Sequence, residues 1–232
     1  MIRNALLPLA LMFAVVATRA GQPTGSADDP VPVTAEPLHV VQHQGKNFLI
    51  YTNWIEPGVW TLYHQHRNDL LAVIAVDTSA ASQEPGAAPR EQTAPAGSVI
   101  FFPYADSAQA YTHRVGATGS GPFVNIGLEF LAPPDQACVE AMQGWSEPRA
   151  QSHEPNRRGR AYRLELPAGT RAALPESGGG VLLVPLGAAD LELDREPWRA
   201  VPGDFRFYEQ RRPQSLRNSG ERSALLAVFQ AC

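Results

Sequence analysis

Cysteine is nearly absent: the 232 residues contain two, Cys138 and Cys232, the second being the last of the chain. That excludes a disulfide-built scaffold and leaves one bridge or two separate buried thiols. Basic charge is also scarce, with 19 Lys and Arg against 23 Asp and Glu and a formal net charge of −4. Phosphate binding needs clustered cations, so nucleic acid is excluded as the main partner. The one basic cluster, Arg157-Arg158-Gly159-Arg160, reads as a solvated linker with no function. After the N-terminus there is no long apolar run and no heptad repeat, so no transmembrane helix or coiled coil is expected there.

What is present is enough apolar residue to bury a core: 44% apolar and 18% charged, over a length that suits one large or two small domains. Residues 1–20 have the three-part form of a secretory signal peptide, with Arg3, an apolar run from Ala5 to Ala17, and Thr18 and Ala20 before Gly21. That run of about 13 residues is short of the roughly 20 a bilayer-spanning helix needs, which disfavours a membrane anchor. The chain is therefore expected to be exported, to the periplasm or outside the cell, with no membrane partner after cleavage. Residues 21–37, rich in Pro, Gly, Ser and Asp, read as a flexible leader, with folding from about Leu38. An oxidising destination favours a Cys138–Cys232 disulfide tying the C-terminus to the middle of the chain.

From Leu38 the apolar runs are short and separated by turn residues: 47–55, 59–66, 70–76, 98–102 and 123–131. In the last, Val124, Ile126, Leu128 and Phe130 alternate with Phe123, Asn125, Gly127 and Glu129, the period of a half-buried strand. The segment 133–145 carries Pro at its start, helical spacing of Ala137, Cys138, Ala141 and Met142, and Gly144 as a stop, which predicts one short helix. A linker over 146–160 follows, and strand-like runs resume at 162–166, 181–186, 191–193, 205–208 and 223–229. The halves echo each other: Ala96-Gly97 to Phe102 resembles Pro202-Gly203 to Tyr208, and Glu56-Pro57-Gly58 resembles Pro167-Ala168-Gly169. The reading is a duplicated all-β unit, 38–132 and 161–232, joined by a helix and linker at 133–160.

The chemistry concentrates in the segment from Gly58 to Asp69. In a strand His64 and His66 share a face, with Trp60 and Leu62 as the apolar part of the same row. Two imidazoles side by side in a barrel interior each need a partner, and a metal ion satisfies both. Asp69 can return a carboxylate and His113 a third imidazole. Three neutral imidazoles and one carboxylate leave a divalent ion net positive, with two octahedral positions free for water, oxygen or substrate. Trp60, Tyr63 and Phe102 are candidate pocket walls, and Glu129 and Asp106 candidate acids or bases. His39, His43 and His153, in polar or N-terminal stretches, are expected to be exposed and without a role. Gly178-Gly179-Gly180 reads as a turn.

These residues resemble the cupin superfamily. Gly58, His64 and His66 stand at the spacing of its first motif, with Asp69 one residue early and in place of Glu; Gly97 and Pro103 match the second, with His113 late and Ala117 at its Asn position. The resemblance, over about 38–131, implies a jelly-roll barrel with metal ligands at His64, His66 and His113. Asp69 is the fourth, or a water takes its place. In the second half Pro175 and Gln214 stand where histidines would, which implies a metal-free cupin barrel that packs on the first or builds an oligomer. Two function classes follow: a metal-dependent enzyme acting on a small molecule, dioxygenase-like, with Fe, Mn, Ni, Cu or Zn; or a module that binds metal or a small ligand without turnover.

Overall fold

The computed structural model describes residues 25–209 and 214–232; the expected signal peptide lies outside them. Ten strands form the first half: β1 (Val31–Pro32), β2 (His39–Gln44), β3 (Phe48–Ile55), β4 (His64–His66), β5 (Asp69–Ile74), β6 (Thr78–Gln83), β7 (Arg90–Ala94), β8 (Val99–Phe102), β9 (Tyr111–Ala117) and β10 (Phe123–Phe130). They make two facing five-stranded sheets, ordered β1-β4-β9-β6-β7 and β2-β3-β10-β5-β8. The expected helix is α1 (Gln136–Ala141), capped by the Asp135 carboxylate, which accepts from the Cys138 N–H.

The second half repeats the plan. Its strands are β11 (Ala150–Ser152), β12 (Gly159–Leu166), β13 (Arg171–Ala173), β14 (Gly180–Pro185), β15 (Ala189–Leu193), β16 (Glu196–Ala200), β17 (Arg206–Tyr208), β18 (Ser215–Asn218) and β19 (Ala224–Ala231). One sheet runs β11-β12-β19-β14-β17 and the other β13-β18-β15-β16. The architecture is all-β, two tandem jelly-roll barrels. Cys138 and Cys232 are bonded, with their Cα atoms 5.7 Å apart.

The barrels pack sheet against sheet. Phe48, Ile50, Leu71, Val73, Ile126, Leu128 and Phe130 of the first meet Ala161, Leu182, Val184, Ala227 and Phe229 of the second in one continuous core. This corrects the half-buried reading of 123–131. All eight residues of β10 are buried, because one face looks into its own barrel and the other into the neighbouring one.

The N-terminal leader also departs from expectation. Val31–Pro32 pairs in parallel with β4, and Glu36 is 2% exposed, so the fold begins before Leu38. The linker is ordered too: β11 falls inside it, and the basic cluster is an inter-barrel clamp. Arg158, 2% exposed, donates from Nε to Asp69 Oδ2 at 2.6 Å and from Nη1 to the Ala132 carbonyl, with its guanidinium over the Phe130 ring. Arg157 bridges Asp69 and Asp106. Gly159 (φ 145°) allows the chain to enter β12 here, since a Cβ would fall 1.8 Å from the Gln230 carbonyl oxygen.

Candidate metal centre

Four imidazoles meet inside the first barrel, drawn from both sheets. β4 presents His64 and His66 inward, and antiparallel β9 sets His113 opposite His64. His39 opens β2 in the facing sheet, directly across from Asn53 of β3. The His64 ring lies 4.4 Å from that of His39, 5.0 Å from His66 and 4.7 Å from His113, centroid to centroid. Ligand atoms of His39, His64 and His66 all fall within 4.8 Å of one another, close enough to hold a metal ion. The Nε2 atoms of His66 and His113 are 3.2 Å apart, near the spacing that two ligands on one ion adopt at bond lengths of about 2.1 Å.

Two buried carboxylates aim these rings. Glu129 of β10 takes the His66 Nδ1 at 2.7 Å and the Asn68 amide at 2.9 Å. Glu36 takes the His39 Nδ1 at 2.5 Å and accepts from the backbone N–H groups of Leu38 and Leu62. A carboxylate is acceptor-only, so both histidines carry their proton on Nδ1 and turn a bare Nε2 inward. The His64 Nδ1 donates to the Leu62 carbonyl at 2.9 Å, and the His113 Nδ1 lies 3.0 Å from the Ser82 hydroxyl. The buried His64 Nε2 has no partner among the described residues.

Electrostatics favour neutral rings. Burial, and then the neighbouring imidazoles, hold His39 and His113 well below the usual histidine range and push His64 down to about 2. Neutral imidazole is the metal-binding form. Burial raises the Glu36 carboxyl, only partly offset by the Leu62 N–H. Among the described residues, the basic groups paired with Glu36 and Glu129 are imidazoles alone. The donor set therefore fits a divalent cation: four inward nitrogens, one without a partner, and two buried anions that such an ion would neutralise.

Beside the rings is a cavity of about 80 Å³ whose wall includes His39, His66, His113, Asn53, Asn125, Phe102, Tyr104 and Tyr111. Phe102, Tyr104 and Tyr111 form a parallel stack, with Tyr104 also lying over His66 at 5.6 Å.

Asp69, expected as a ligand, is not part of this group. Leu70, not Asp69, pairs with Glu129 on the inward face of β5, and the next residue back points the other way. The Asp69 carboxylate is held instead by Arg157 and Arg158, whose hydrogen bonds overcome the opposing effect of burial and keep its pKa low. The site's carboxylate comes from Glu129, across from Leu70. Trp60 and Tyr63 are not on the cavity wall either. Trp60 pairs with Gly116 and His64 with His113, so four steps along one strand match three on its neighbour. The extra residue inverts the alternation, and both aromatic rings lie against Arg114 on the outer face. Of the expected wall residues, Phe102 is in place.

His39, expected to be exposed, is 5% exposed and central. His43 and His153 are half-buried and outside the group. Of the two candidate acids or bases, Asp106 is exposed and paired with Arg157, whereas Glu129 touches His66. Sequence reasoning missed Glu36 and His39. Their spacing matches no ligand pattern, and the one available signal was that His39 stands next to Leu38, where folding is expected to start.

No protein-family model matches the chain, and no curated protein matches it. Solved structures do. YhhW from Escherichia coli superposes with a TM-score of 0.55 at 12% identity, over 84% of this chain and 88% of that one. The salicylate 1,2-dioxygenase of Pseudaminobacter salicylatoxidans gives 0.53 at 12%, over 83% and 76%. A cupin 2 conserved barrel domain protein from Leptotrichia buccalis gives 0.50 at 8%, over 83% and 88%. These similarities show the fold alone: a cupin-type barrel, present twice in one chain.

Proposed function

We propose that the first barrel is the metal centre of an exported enzyme that oxidises a small molecule, of dioxygenase type. The observation that carries this reading is the pair of buried carboxylates, Glu36 and Glu129, each fixed to the Nδ1 of an inward imidazole and neither matched, among the described residues, by an arginine or lysine. Burying two such charges for structure alone is costly, and a divalent ion among the imidazoles offsets that cost.

His64, His66 and His113 hold the ion, and His39, whose Nε2 accepts from Asn53 Nδ2, lines the site beside them. When bound, it supplies Lewis-acid or redox chemistry to a coordinated small molecule. The chain's own groups fix ring tautomers through Glu36, Glu129 and the Leu62 carbonyl, and wall the cavity beside the rings with the stack of Phe102, Tyr104 and Tyr111. A dioxygenase among the structural neighbours supports the reaction class, and the disulfide supports export.

The test is metal content after reconstitution with Fe, Mn, Ni, Cu or Zn, for the native chain and a His64→Ala, His66→Ala variant, followed by oxygen uptake with small oxygenated compounds. One equivalent of metal in the native chain, lost in the variant, with substrate-dependent uptake, is expected. Equal and negligible metal in both sinks the centre. A loaded site with no uptake across the panel means a binding module instead. N-terminal sequencing of the exported protein should begin at Gly21.

A further inference from the structure

Asn53 and Asn125 stand side by side on the inner faces of β3 and β10, 5% and 6% exposed, both on the cavity wall. The Oδ1 atoms of both are buried without a partner among the described residues. For Asn53 the amide orientation follows from its neighbour. Glu36 fixes the His39 proton on Nδ1, so the bare His39 Nε2 accepts from Asn53 Nδ2, 3.3 Å away. That turns the Asn53 Oδ1 away from His39 as a free acceptor. Leaving two such acceptors buried and unpaired is costly, so they call for a reason.

The fold does not require them, and the second barrel shows it. Counting two residues inward from the Phe123–Ile55 pair reaches Asn125–Asn53; counting two from the equivalent Ala224–Leu166 pair reaches Leu226–Leu164. Those leucines are fully buried in the apolar interior of the second barrel. Leucine therefore suits this position in the same architecture, and the asparagine pair belongs to the site.

Resting on the metal-centre reading, we propose that Asn53 and Asn125 form the substrate-recognition subsite, accepting hydrogen bonds from a hydroxyl or amino group of a small molecule whose oxygen ligates the metal. Size narrows the class further. The cavity of about 80 Å³ is roughly half the ~150 Å³ that takes a benzene molecule. The substrate is then a short hydroxy or amino acid or a comparable aliphatic compound. An aromatic ring fits only if Tyr104 and Tyr111 move.

The test uses full-length protein loaded with Co(II), with metal content measured first. Binding of two isosteric probe pairs, 3-hydroxypropionate against butyrate and glycolate against propionate, is followed by calorimetry and by the cobalt absorption bands, and salicylate serves as the aromatic probe. We expect the hydroxyl member of at least one pair to bind at least about tenfold tighter, and salicylate to bind more weakly than 3-hydroxypropionate. In Asn125→Leu, which leaves the Asn53–His39 bond in place, metal content should stay and the preference should fall to within about twofold. Asn125→Asp, which keeps shape and acceptor, should retain the preference and supplies the comparison if the leucine variant fails to fold. A loaded native protein that binds neither pair or does not discriminate within them overturns the subsite while the metal centre stands. So does an unchanged preference in Asn125→Leu, or its loss in Asn125→Asp. Tighter binding of salicylate overturns the size argument. Failure to load metal overturns the centre, and the subsite with it.

Discussion

Replacing Asp69 by Asn separates a structural clamp from a metal ligand at one position. The carboxylate is fully buried and serves three guanidinium contacts: Arg157 Nε at 2.9 Å, Arg157 Nη2 at 2.5 Å and Arg158 Nε at 2.6 Å. Arg157 keeps Asp106 as a second partner and is 28% exposed, so its loss is cheap, within about 1 kcal/mol. Arg158 is 2% exposed and would be left with a carbonyl and an aromatic face for its charge. Stranding a buried charge costs about 3–5 kcal/mol, or roughly 6–20 °C in Tm at about 2–4 °C per kcal/mol for a chain of this size. Arg158→Met should cost less, because Asp69 still holds Arg157 and the methionine still packs on Phe130. In the double variant the cost should be smaller than the sum, a favourable coupling readable from denaturant melts. Metal content at saturation should be unchanged throughout. If Asp69→Asn loses metal as His64→Ala does with little change in Tm, Asp69 is a ligand and the clamp reasoning is wrong.

The metal-free protein should lose stability in acid. His39, His64 and His113 are held below the unfolded value near 6.5, so the unfolded chain takes up protons first as pH falls through 6.5, and stability drops by about 1.4 kcal/mol per pH unit for each ring. The raised Glu36 carboxyl works in the opposite sense, favouring the folded state as pH falls. Urea melts at pH 7.5, 6.5 and 5.5 check the net fall; constant stability contradicts neutral buried rings. Glu36→Gln should weaken metal binding about 10–100-fold without emptying the site at saturation, measured by chelator competition. Cys232→Ser opens a bridge spanning 94 residues and should cost up to about 4–5 kcal/mol, read from the urea midpoint. A shift under about 0.5 kcal/mol would mean the C-terminus needs no tether.

Strand periodicity, the duplicated Gly-centred turns and the short helix made the architecture legible, because each rests on local alternation or local backbone demand. His64 and His66 were brought together by their spacing in one strand, whereas His113 stood later than the second motif places its histidine, and it is the pairing of β9 with β4 that sets it opposite His64. What failed did so for non-local reasons. The alternation around Trp60 was inverted by one extra residue that only the pairing with β9 reveals. Asp69 matched a ligand type but stood one position off, and in a strand that means the opposite face. Arg157 and Arg158 looked solvated because their partner lies 88 and 89 residues away. Glu36 and His39 lay in or beside a polar stretch read as leader, and their burial depends on β1 pairing with β4 and on the facing sheet.

The second barrel serves as an internal control on which groups the fold itself needs. Gln230 stands in β19 opposite Val181 as Glu129 stands in β10 opposite Leu70, and Tyr162 occupies the register of Tyr51. There the Tyr162 hydroxyl donates to Gln230 Oε1 at 2.7 Å, a neutral pair that satisfies itself. The site of His39 is taken by Ala150, facing Leu164, and Gln214, at the place of His113, is exposed. Carboxylate and imidazoles thus disappear together, while the polar partner of β19 survives in uncharged form. A barrel of this plan can therefore hold a hydrogen-bonding side chain at the Glu129 position at no electrostatic cost. The first barrel instead keeps a charge there and a second one at Glu36, both turned on imidazoles, so the charges answer to what those imidazoles hold.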